Sequence, residues 1–146
     1  MSKEIYRAEA RVVGGRENGH GRTSDGALDL QLRPPGNEEG ATNPEQLFAI
    51  GYAACFEGAI RVCARRERFE LTDVTIDSSV ALLTAEQRSF ALAVELDITL
   101  PEIEDPSRAA AIVAAAHQIC PYSRATRGNV EMTLRVNGQA VEPEAA

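Results

Sequence analysis

The sequence has no tryptophan, only 5% aromatic residues, three cysteines and two histidines. So few cysteines exclude a disulfide scaffold, the usual support for small domains without a sufficient core. No Cys-x-x-Cys, His-x-x-x-His or Cys-x-x-His spacing occurs, so neither a structural zinc nor another resident metal or cofactor is expected. Positive charge is also short: 15 Lys plus Arg stand against 22 Asp plus Glu, a net charge of −7. Such a chain lacks the electrostatic footprint for neutralising nucleic-acid phosphates or binding anionic membrane surfaces. Long uncharged runs are missing too. The longest, Gln46–Phe56 and Ala109–Ser123, are too short to span a bilayer, and the second contains His117 and Pro121. Met1–Arg11 carries charges throughout, unlike a signal peptide, so a cytoplasmic chain is expected.

What is present suits one folded domain over residues 1–146, with 44% hydrophobic residues, enough for a sizeable core. Tyr6, Ala8, Ala10 and Val12 alternate with charged residues as in a half-buried strand, and Gly14–Gly19 follows as a turn. Leu28, Leu30 and Leu32 alternate again until Pro34-Pro35-Gly36 stops them, and Gly36–Thr42 reads as a polar loop. Asn43-Pro44-Glu45-Gln46 is a helix start, with Asn43 as cap, Pro44 at the first position and Gln46 placed to reach back. From Leu47 to Ala64 only Glu57 and Arg61 are charged, so this helix is expected to be buried on most faces, by sheet or by a second subunit. Val74–Val80 and Phe90–Leu100 read as strands, Asp105-Pro106-Ser107 begins a second helix, Pro106 to about Ile119, which Pro121 ends, and Val130–Val136 reads as a strand before an Asn137-Gly138 turn. The sum is α+β, antiparallel sheets around apolar helices.

Among sites, the glycines of Gly14–Gly21 precede no helix start, which disfavours a phosphate cradle, and no nucleophile elbow supports a Ser-His-Asp triad. The thiols say more. Cys63, between Val62 and Ala64, reads as a small buried apolar residue. Cys55 lies mid-helix in Ala53-Ala54-Cys55-Phe56, where burial raises a thiol pKa, so reactivity needs a cation from elsewhere. Cys120 ends the second helix, where the dipole disfavours a thiolate, so in any pair it suits the resolving role. The residues alone leave open a Cys55–Cys120 redox pair and two inert core thiols.

The segment Ala41–Phe56, ATNPEQLFAIGYAACF, resembles the first cysteine motif of the organic hydroperoxide resistance family. His117–Asn129, HQICPYSRATRGN, resembles its second, and Gly14-Gly15-Arg16 followed by Ser24-Asp25-Gly26 its N-terminal hairpin. The likeness covers essentially the whole chain. The strings NPEQLF and ATRGN favour this branch over the related osmotically inducible one. Cys63 departs from the family's usual aliphatic residue, and Phe56-Glu57-Gly58 varies locally.

The resemblance implies an intertwined homodimeric peroxidase that reduces organic hydroperoxides, with Cys55 as peroxidatic thiol and Cys120 as resolving thiol. Arg16 would be the cation that lowers the Cys55 pKa and meets the peroxide oxygens, and Glu45 the carboxylate that holds it. An external dithiol, in the family a lipoyl group on a protein, would reopen the disulfide. Apolar neighbours Leu47, Phe48, Ile50 and Phe56 suit a hydrocarbon-tailed substrate. His117 invites a general-base role against plain packing. The alternatives are a peroxidase of the osmotically inducible branch with broader peroxide range, and a redox-responsive binding protein without turnover. Glu45 and Cys55 are ten residues apart, about 15 Å along a helix. Either the helix breaks near Ile50-Gly51, or Arg16 and Glu45 serve the cysteine of a partner subunit.

Overall fold

Glycine-rich turns and a short run of alternating leucines give the N-terminal third of the chain a thin sheet rather than a core. The computed structural model describes residues 2–36 and 39–142 and divides into two compact units, Met1–Leu47 and Phe48–Ala146. In the first, strands β1 (Ala10–Val13), β2 (Gly19–Thr23), β3 (Asp29–Leu32) and β4 (Ala41–Thr42) form one sheet in that order. The β1–β2 and β2–β3 pairs are antiparallel, while β3 and β4 run parallel through Gln31↔Ala41 and Leu32↔Thr42. The expected first strand is shorter than its alternation and not half-buried: all of β1 is exposed, Val12 and Val13 included. β2 was not legible, because its sequence, GHGRT, has little strand propensity and is held by register, Val12 opposite Gly21. The polar loop expected over Gly36–Thr42 ends in β4, and its residues 37 and 38 lie outside the described residues.

Helix α1 (Pro44–Arg66) starts where the cap predicts: Gln46 N–H donates to Asn43 Oδ1 at 2.9 Å. The Gln46 side chain accepts from Thr42 Oγ1 at 2.8 Å instead of reaching back to the Asn43 amide. The helix runs on without a break at Ile50-Gly51. Counted through Glu57 and Arg61, it is long and apolar enough to cross a bilayer by length and composition, which the uncharged-run count did not register. Those charges pair one turn apart, and Arg61 also donates to the Leu71 carbonyl. Tyr52, Phe56, Ala59, Ile60, Cys63 and Ala64 are buried, whereas Ile50, Ala54 and Gly58 are exposed. Burial on most faces is thus not reached within this chain.

The second unit builds its core on β5 (Thr75–Thr84), β6 (Phe90–Thr99), β7 (Glu131–Val136) and β8 (Gln139–Val141), again in sheet order. β5–β6 is a ten-residue antiparallel hairpin, and β6–β7 is parallel, Leu96 opposite Leu134. Both sheets are therefore mixed rather than purely antiparallel. The β6–β7 connection carries a helix, and such a crossover returns the chain in parallel. Val94, Leu96, Ile98, Leu134 and Val136 join Phe56 and Ile60 of α1 in one apolar cluster. The connecting helix α2 (Pro106–Ile119) adds Ile112, Val113 and Ala116, and starts on Asp105, whose Oδ1 accepts from Ser107 N–H. After one extended residue, Cys120, a short helix α3 (Pro121–Thr126) follows, which the reading of Pro121 as a terminator did not foresee.

Candidate active site

In the first unit, Arg16 stands at the tip of the β1–β2 turn. Gly14 has a φ of +82°, and a Cβ there would meet Asn18 O at 2.4 Å, so only glycine closes this turn. Arg16 Nη2 donates to Glu45 Oε2 at 2.6 Å, joining the turn to the first turn of α1. The contact acts on both partners. Arg16 beside it holds the Glu45 carboxyl below its usual value, against partial desolvation, and Glu45 raises the already high Arg16 guanidinium. Arg16 keeps 40% of its side chain exposed and Glu45 16%, so the carboxylate is the fixed member and the guanidinium stays accessible.

The second unit brings the two expected thiols together. Cys55 and Cys120 are both free, with their Sγ atoms 3.6 Å apart. Cys55 is half-buried in mid-α1 and Cys120 is fully buried at the α2–α3 corner. Burial pushes the Cys55 thiol up, a backbone amide donated by Tyr122 opposes that rise, and Cys120 adds to it. Burial also raises Cys63, elsewhere on α1, which fits its reading as a core residue. A Cys55 thiolate at neutral pH thus needs a cation, as the sequence argued.

Of the apolar residues expected round the thiol, Phe56 belongs to the core, Phe48 is half-buried and Ile50 is 70% exposed. Phe48, Tyr52 and Tyr122 form an aromatic group with ring centroids 5.6–5.9 Å apart. Gly51 makes room for it, since a Cβ there would lie 3.0 Å from the Tyr122 hydroxyl. His117 is 1% exposed and its Nδ1 is hydrogen-bonded to Ser123 Oγ at 2.9 Å. Ser123 Oγ also meets Tyr52 Oη at 2.7 Å, a buried polar linkage that sequence reasoning missed. Its one signal was a serine and a histidine six residues apart across a proline, too weak to stand out. Among the described residues no group of three His, Cys, Asp or Glu could hold a metal ion.

An α+β chain that sets two unbonded thiols against each other, and an arginine against a carboxylate, defines a thiol-pair protein. The OsmC-like protein family model matches residues 36–135. The chain is 47% identical over 137 residues to the organic hydroperoxide resistance protein of Xanthomonas axonopodis pv. citri (strain 306), spanning 90% of this chain and 94% of that one. It is 44% identical over 142 residues to organic hydroperoxide resistance protein OhrA of Bacillus subtilis (strain 168), spanning 93% and 99%. Among solved structures, an organic hydroperoxide resistance protein from Legionella pneumophila superimposes with a TM-score of 0.85 at 48% identity, over 92% of this chain and 98% of that one. The chain belongs to the organic hydroperoxide resistance proteins of the OsmC-like family, as its two cysteine motifs led us to expect.

Proposed function

We propose that the protein is a cysteine-based peroxidase that reduces organic hydroperoxides to alcohols. The Cys55 thiolate attacks one peroxide oxygen, the O–O bond breaks, and the departing alkoxide takes a proton to become the alcohol, leaving a sulfenic acid on Cys55. The Cys120 thiol then displaces water from it and a Cys55–Cys120 disulfide forms. An external dithiol such as a protein-bound lipoyl group reduces that disulfide by exchange and is itself oxidised. The observation that carries this reading is the 3.6 Å approach of two free thiols in a chain whose relatives are named for organic hydroperoxide resistance.

In this reading Arg16 supplies the cation that the buried thiol requires, and Glu45 fixes its planar fork, a role lysine would not fill. That α1 runs unbroken from Glu45 to Cys55 supports the reading in which Arg16 and Glu45 serve Cys55 of a second copy in a homodimer. The exposed Ile50, Ala54 and Gly58 of α1 support such a partner, because water is a poor neighbour for that face. No resident cofactor is needed, since electrons come from the dithiol. Three free cysteines suit the reducing cytoplasm.

The test offers an alkyl hydroperoxide and dihydrolipoamide to the wild-type chain and to Cys55→Ser. Rapid turnover of the alkyl substrate that the substitution abolishes is expected. Equal or better use of hydrogen peroxide would point to the osmotically inducible type. Disulfide formation without sustained turnover would point to a redox-responsive binding protein.

A further inference from the structure

Closing the disulfide requires movement. The two sulfurs stand 3.6 Å apart, and a covalent bond brings them to about 2.05 Å. Cys55 is fixed in the middle of a 23-residue helix. Cys120 is the single non-helical residue between α2 and α3, in an extended conformation with φ −62° and ψ 124°. Rotation of the two side chains covers that approach of about 1.5 Å, provided that the backbone holds both residues in place.

One hydroxyl on α3 bonds to side chains of both other helices at this corner. Ser123 Oγ, on α3, reaches Tyr52 Oη on α1 at 2.7 Å and His117 Nδ1 on α2 at 2.9 Å. All three residues are buried, with relative exposure of 0–1%. Burial pushes the Tyr52 phenol up, so it stays protonated and able to donate. Arg127 Nη2 also donates to the His117 carbonyl at 2.6 Å, fastening the last turn of α2. Each of the three helices that meet around the thiol pair thus contributes one side chain to a shared bridge, and Cys120 is the corner residue between two of them.

We propose that Tyr52, Ser123 and His117 form a positioning clasp that keeps Cys120 in attacking range of the Cys55 sulfenic acid. This rests on the peroxidase reading above and assigns His117 a positioning part instead of a general-base one. In the clasped step the Cys120 sulfur attacks the sulfur of Cys55–SOH, the S–O bond breaks, and hydroxide leaves with the thiol proton as water. No further oxidant or reductant enters. The clasp acts on this second step only, because Cys120 takes no part in the first.

The experiment is a single turnover of the full chain with one equivalent of an alkyl hydroperoxide and no dithiol, for wild type, Ser123→Ala, Ser123→Thr and Tyr52→Phe. Alcohol release reports the first step, and label uptake by a 1,3-dione reports the sulfenic acid. Loss of free thiols reports the disulfide. Ser123→Ala is expected to release alcohol at the wild-type rate but to close the disulfide about ten- to a hundredfold more slowly, with strong dione labelling. Ser123→Thr restores the hydroxyl and with it the closure rate. Tyr52→Phe, which removes one oxygen and keeps the ring, carries the same measurement should Ser123→Ala not fold. A merely structural role would slow both steps together, and that result overturns the clasp. So does closure at the wild-type rate in folded Ser123→Ala and Tyr52→Phe. Wild-type chain that neither takes the dione nor forms a disulfide overturns the peroxidase reading as well.

Discussion

The two units of this chain divide the proposed chemistry unequally between a surface and a core. Among the described residues, Leu32 is the one buried apolar residue of Met1–Leu47, while Phe48–Ala146 holds every other. The thin unit carries the charged pair, Arg16 and Glu45, on a glycine-closed turn and a helix start. The packed unit carries the thiols, on a helix and a corner set by close-packed neighbours. Each placement fits its job. In the proposed cycle an accessible cation can meet a substrate, whereas two sulfurs that bond to each other need a fixed approach. The difference teaches that the thiol half is sensitive to packing and the charged half to what lies next to it.

The sharpest way to break that division is subunit mixing. Arg16→Gln should lose activity by about 10²- to 10³-fold, the usual loss when one charge-stabilising donor is removed. Its Cys55 should also alkylate with a pH midpoint above that of the wild type, because burial alone raises this thiol. Arg16→Gln and Cys55→Ser chains, each inactive, are then mixed, unfolded and refolded together. If the charged pair serves a second copy, half the dimers are mixed and each has one intact site, so activity returns to about a quarter of wild type. Sites completed within one chain would leave the mixture inactive, which would end the trans arrangement.

Next in size is stability. Leu96→Ala, in the middle of β6 and fully buried, should cost about 2–5 kcal/mol in denaturant unfolding. Val12→Ala, on the exposed β1, should stay within about 0.5 kcal/mol as an isolated chain. A dimer-dependent cost for Val12→Ala, growing with protein concentration, would show that the thin sheet gains its cover from another copy.

The same contrast explains what the sequence made legible. Period-two alternation located β6 and β7, and Asp105-Pro106 with Pro121 bounded α2 to the residue, because local propensity and burial agree there. Both thiols and the Arg16–Glu45 pair were named from motifs, and the geometry brings each pair into contact. The parallel pairings, glycine-rich β2 and short α3 escaped, since register and partner strands decide them and no local period records them. The Tyr52–Ser123–His117 linkage escaped for a related reason. Its members are 71 and 6 residues apart, and only tertiary packing makes them neighbours.

The smallest effects test the charged unit itself, at the start of α1. Asn43→Ala removes the acceptor of the Gln46 amide and should cost about 1 kcal/mol, with little dependence on pH near neutrality. Glu45→Gln should cost less, because Arg16 is partly exposed and such pairs are screened. Its signature is the pH profile. The folded chain holds the Glu45 carboxyl below its unfolded value, so its contribution is complete above the ordinary carboxylate range and is lost as pH falls through the depressed folded value. Unfolding midpoints of wild type and Glu45→Gln should therefore differ at neutral pH and converge on acidification, whereas the Asn43→Ala gap persists. A Glu45→Gln gap that is constant down to the acid limit would mean that the carboxylate's charge does not hold Arg16, and the charged half of the site would then rest on hydrogen bonding alone.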